Sequence, residues 1–217
     1  MSAVVLALFS SLAYGVSDYI GGLKSRTLPV VTVLLVSHTA ALALLTGTFA
    51  IAIGDIPASK FLLYGVLAGV AEAVGLFALY QGLSVGKMSI VAAAASVAPA
   101  IPVIASVGGS DAPGGIQVAG IVLAIGGIAT LALSSHREDD PHALSRPLVS
   151  VGFGLLTALG LGFFLIAMDR AAEGSVQWAL ISARITTVAI FTLVFLLTRP
   201  REELSPYAPK MLSILID

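Results

Sequence analysis

GVLAGVAEAVGLFALYQG, residues Gly65 to Gly82, is apolar almost throughout, yet it carries Glu72 near its middle. About 20 residues of helix are needed to cross a hydrocarbon layer of roughly 30 Å, and this run with its flanks is that long. Glu72 is roughly eleven residues from either end of the apolar run 61–82, too deep for so short a side chain to reach the membrane surface. It must therefore face a cavity, meet a partner, or carry a proton. Two readings stay open for it. Glu72 lines a central pathway, or it is a protonated, hydrogen-bonded group that ties helices together. Gly65 and Gly69 form a GxxxG pair on the same helix and predict close packing against a neighbour.

The rest of the chain has the same character. Of its 217 residues, 58% are hydrophobic and 11% charged, with a mean hydropathy of +1.03. A soluble domain carries about 25% charged residues, so this composition predicts an integral membrane protein. The net charge of −1 argues against nucleic acid as a partner. The absence of cysteine excludes disulfides, thiolate metal sites and a cysteine nucleophile. His38, His136 and His142 are too scattered for a metal cluster, so neither a metal nor another cofactor is expected. The N-terminal run lacks the basic lead of a signal peptide and is taken as a retained first span.

Seven apolar runs are long enough to span: 4–23, 30–53, 61–82, 89–108, 116–134, 149–168 and 177–198. In lipid such runs must be helical, because every backbone N–H and C=O has to be paired within the segment. The predicted fold class is therefore all-α, a polytopic helix bundle of seven full spans. Residues 209–217 look like the start of an eighth span, roughly 14 Å long as helix, and the expectation is that the chain is C-terminally truncated. The polar stretch 135–147 separates a first unit of five spans, 1–134, from a partial second unit, 148–217. At an offset of 145 residues, Ala13, Gly15, Tyr19 and Ile20 fall on Ala158, Gly160, Phe164 and Leu165. A repeat of five spans inserts its second copy upside down, the inverted repeat of many secondary transporters.

The stretch GLFALYQGLSVGKMSIVAAAASVAPAIPVIASVGGSDAPGGIQVAGIVLAIGGIATLAL resembles the EamA-type family of the drug/metabolite transporter superfamily. The likeness lies in the aromatic end of span 3, the short glycine loop, Pro99 and Pro102 in span 4, and the glycine-rich span 5. Arg184 in WALISARITTVAIF matches the family's Arg-bearing seventh helix, whereas Asp111 stands where the family turn has Glu. The resemblance implies a ten-span fold of two inverted five-span repeats, of which this chain would supply one and part of the next. It also implies a multi-pass protein of the plasma membrane that moves amino acids, nucleosides or similar solutes by alternating access. Proton coupling and a homodimer are compatible with it, and Pro99 would belong to a span around the central cavity.

Three charged residues lie inside spans, where each costs about 2.5–3.5 kcal/mol on insertion scales: Asp18, Glu72 and Arg184. Tyr14, Ser17 and Asp18 fall at i, i+3 and i+4, so they form one polar stripe on span 1. Asp18 is either interfacial or part of a cavity wall. Arg184 either snorkels or pairs with an inward carboxylate. His38 is a hydrogen-bonded structural residue or a proton carrier. Ser96 precedes Pro99 on span 4, where proline removes backbone donors and bends the helix. Tyr80 and Gln81 close span 3 as gate or interface residues, and Trp178 opens span 7 in the interfacial aromatic belt. The substrate and proton pathway candidates are thus Glu72, Asp18, Arg184, Tyr14, Ser17, Ser96 and Pro99.

No phosphate-binding loop or HExxH motif is present, and an enzyme is not expected. The breaks after odd spans hold Lys24, Arg26, Lys87, Arg137, Arg146, Arg199, Arg201 and Lys210, against Lys60 and Arg170 elsewhere. Positive-inside would put the N-terminus outside, whereas the family places it inside, so both orientations stand. The functional alternative to a transporter is a non-transporting membrane subunit that packs with a partner.

Overall fold

A computed structural model of the chain describes residues 3–49, 54–106, 114–134 and 147–198. The start of an eighth span at 209–217, Asp111, and the polar stretch 135–146 with its two histidines lie outside the described residues.

Among the described residues all regular structure is helical. The helices are α1 (Ala3–Lys24), α2 (Val30–Phe49), α3 (Ser59–Val85), α4 (Met88–Ala95), α5 (Ala100–Ala105), α6 (Gly115–Ser134), α7 (Pro147–Ala172) and α8 (Val176–Thr198). Six segments are long and apolar enough to cross a membrane: α1, α2, α3, the α4–α5 pair, α7 and α8. This marks a membrane protein. The apolar run at 116–134 is also helical, as α6. The helix α3 has 27 residues, about 40 Å at 1.5 Å each, longer than the roughly 30 Å of a hydrocarbon layer.

Two prolines explain why the fourth run is two short helices and not one. Pro99 and Pro102 have no N–H to give to the carbonyls of Ala95 and Ala98. The backbone tightens instead: Ala98 N–H donates to Ala95 O at 3.0 Å and Ile101 N–H to Ala98 O at 3.1 Å, both three residues back. Pro147, by contrast, sits at the first position of α7, where its missing N–H would have been unpaired in any case.

The helix α3 is the axis of the bundle. It packs most extensively on α7, next on α8, and also meets α1, α2 and α4. Glycine sets how near these helices come. A methyl group built on Gly160 of α7 would lie 2.6 Å from the Cα of Gly75 in α3. One built on Gly69 would run into the carbonyl oxygen of Ala183 in α8. The GxxxG pair therefore does seat a helix, namely α8, with Gly65 against Ala179 and Ser182. The dry centre comprises Val33, Leu34, Ala73, Leu79, Leu83, Val91 and Phe191, among others. Val4, Leu6, Leu8, Phe9 and Leu12 of α1 and Leu193, Leu196 and Leu197 of α8 point outward, as a lipid-facing surface requires.

Candidate functional site

Glu72 is the midpoint of α3 and is buried, with 7% of its surface exposed. Arg184 of α8 donates from Nη1 to its Oε1 at 3.0 Å. Thr187, one turn further along α8 and fully buried, donates to its Oε2 at 2.8 Å. The same hydroxyl also lies 3.1 Å from the Gly69 carbonyl and 3.0 Å from its own helix at Ala183. Spacing of three residues puts Arg184 and Thr187 on one face of α8, and the glycine-based approach of α3 brings that face to Glu72. Both carboxylate oxygens are thus engaged, which is what keeps a mid-membrane carboxylate tolerable.

His38 of α2 completes the cluster from a third side. Its Nδ1 lies 2.9 Å from the carbonyl oxygen of Leu34. A carbonyl only accepts, so Nδ1 carries the hydrogen and, in the neutral ring, Nε2 is left as an acceptor. Nε2 stands 4.0 Å from Glu72 Oε1, beyond hydrogen-bond distance, and has no hydrogen-bond partner among the described residues. Phe191 holds the ring edge-on, with centroids 5.5 Å apart.

A second polar pair lies nearer the membrane surface. Tyr80 is eight residues beyond Glu72, roughly 12 Å along α3. Its hydroxyl donates to Asp18 Oδ1 of α1 at 3.5 Å, a long contact. Gly21 creates the seat for this ring: a methyl group there would fall 2.6 Å from Tyr80 Cζ. The Arg26 Nε donates to the Leu83 carbonyl at 3.3 Å and fastens the end of α1 beside the end of α3.

Both levels open on one cavity of about 290 Å³, lined among others by Tyr14, Ser17, Asp18, His38, Glu72, Tyr80 and Arg184. Five of the seven residues singled out from the sequence, Glu72, Asp18, Arg184, Tyr14 and Ser17, therefore meet at one place. Ser96 lines a second cavity, of about 360 Å³, on the other side of Asp18. Its hydroxyl is spent on the Ala93 carbonyl of its own helix, at 2.7 Å. Pro99 is exposed at the turn between α4 and α5 and is not among the residues lining these two cavities. Arg184 is paired with an inward carboxylate and does not snorkel. Trp178 donates from Nε1 to the Gly54 carbonyl at 3.0 Å, which clips the start of α8 to the segment before α3.

Thr187 was not singled out from the sequence. Its signal was its position one turn from Arg184, but threonine is ordinary in membrane helices and usually bonds its own backbone. Among the described residues no group of acidic and histidine side chains is arranged to hold a metal ion. Compared with known proteins, the chain matches no family model, no curated protein and no solved structure.

Proposed function

We propose that this protein is a secondary transporter of a small metabolite in the plasma membrane, with its solute site in the cavity between α1, α2, α3 and α8. One observation carries this reading: all three charged side chains inside the spans, Asp18, Glu72 and Arg184, line a single cavity together with His38. Buried charge is expensive in lipid, and a bundle that needed only to pack would have little use for an Asp, a Glu, an Arg and a His around one void. The resemblance of residues 75–133 to EamA-type transporters supports the same reading and adds alternating access between two inverted repeats. Glu72 is the coupling group in this scheme. It is held by Arg184 and Thr187 and has the bare acceptor Nε2 of His38 within 4.0 Å, so a proton or solute that enters can exchange partners there.

The test is solute counterflow in liposomes reconstituted with the full chain, run over a panel of amino acids, nucleosides and organic amines. At least one solute should exchange across the membrane. Glu72→Gln should lower that exchange tenfold or more while the variant still inserts and purifies as a single species. Exchange by Glu72→Gln equal to that of the parent chain would remove Glu72 from the mechanism. No exchange of any solute would favour a subunit that merely packs with a partner.

A further inference from the structure

The charges around the cavity do not balance, and the imbalance sits at Asp18. Among the described residues the ion pairs are Arg184 with Glu72 and Arg170 with Glu173, the neutral His38 ring standing 4.0 Å from Glu72 without a charge to offer. Glu72 and Arg184 cancel at 3.0 Å. Among the described residues no cation comes within 4.0 Å of Asp18, and its side-chain partner is the Tyr80 hydroxyl at 3.5 Å. A carboxylate inside a membrane needs a counter-charge or a proton. Asp18 also has space beside it on two sides, because it lines both the cavity of about 290 Å³ and the one of about 360 Å³. Aromatic rings stand around it: Tyr14 and Tyr80 on one side, Tyr19 on the other. The remaining lining is largely aliphatic, including Leu76, Leu79, Leu83 and Met88. An anion set among aromatic rings and aliphatic walls is an environment that suits an organic ammonium group.

We infer that the solute is a small organic amine, held with its ammonium group at Asp18 between Tyr14 and Tyr80. This rests on the reading of the cavity as a solute site. Specificity then follows from charge. An anion would meet Asp18 without compensation, and Arg184 is already committed to Glu72.

Three probes of one shape separate the possibilities: choline, its uncharged carbon isostere, and tert-butylacetate as the anion. Each is titrated calorimetrically into the full chain in maltoside micelles, which contain no ammonium headgroup. Choline should bind at least tenfold more tightly than the isostere, and the anion should not bind. Asp18→Asn should erase the choline advantage, and Asp18→Glu should restore part of it. The parent-chain titration stands by itself if Asp18→Asn does not fold. Equal binding of choline and isostere, preference for the anion, or failure of choline to bind would each overturn the assignment. Those results leave counterflow of another solute intact, so the ammonium site can fail without the transport reading. Conversely, choline binding without exchange of any solute would sink transport and keep the site.

Discussion

Replacing Arg184 with methionine is expected to lower stability by about 3–5 kcal/mol, the usual consequence of removing one partner from a buried pair. Methionine keeps an unbranched apolar stem, so the change chiefly removes the guanidinium. Glu72 keeps the Thr187 hydroxyl but loses its charge partner in the middle of α3. For a chain of this size the loss corresponds to a fall in Tm on the order of 10 °C, readable by thermal unfolding in micelles. The double variant Arg184→Met with Glu72→Leu removes both charges. It should regain most of the lost stability, because an apolar pair of similar volume is often as stable as a buried ion pair. The double variant should nonetheless fail to exchange solute. A double variant no more stable than Arg184→Met would mean that the damage came from packing rather than from a stranded carboxylate.

Gly160→Leu should be at least as harmful, for a reason that has nothing to do with charge. The atoms that meet a side chain at this position are the Gly75 Cα at 2.6 Å, the Gly75 nitrogen at 2.7 Å and the Ala71 carbonyl oxygen at 3.0 Å. All belong to the backbone of α3, so no rotamer change can clear them. The helices α3 and α7 must separate, and that contact is the most extensive in the bundle. Overpacking a core typically costs about 1–3 kcal/mol where side chains can yield, and here they cannot. The expected result is little or no monodisperse protein on size-exclusion chromatography, with Gly160→Ala intermediate. Gly152 lies on the same helix with nothing within 4 Å of an added methyl group. Gly152→Leu should behave like the parent chain. Similar yields for the two leucine variants would show that α3 and α7 do not rely on this contact.

The membrane spans were legible because lipid leaves the backbone one solution, and apolar length alone then reports helix. The break at Pro99 was legible too, since a missing N–H cannot be replaced. Glu72 stood out by depth. What the sequence withheld was the rotation of each helix about its axis. Helices apolar on all sides give no periodic signal to say which face looks inward, so the residue opposite Glu72 could not be named. Arg184 therefore remained either a snorkelling residue or a partner until the Gly69 contact fixed how α8 lies on α3. The Asp18–Tyr80 pair was hidden for a related reason. It depends on the vacancy at Gly21, and in a chain with 22 glycines one that seats a ring looks like any other.

The pairing of Glu72 with Arg184 joins residues 112 positions apart. At about 5–20 residues per second, a ribosome takes roughly 6–22 s to make the intervening chain. For that interval α3 is in the membrane with a carboxylate at its centre and without its cation. Thr187 and the Trp178 clip to Gly54 arrive on the same late helix. Until α8 is made, Glu72 has neither the Arg184 guanidinium nor the Thr187 hydroxyl beside it. The order of synthesis thus makes α8 the helix that completes the bundle: the last span described supplies both side-chain hydrogen bonds to the carboxylate at the centre of α3.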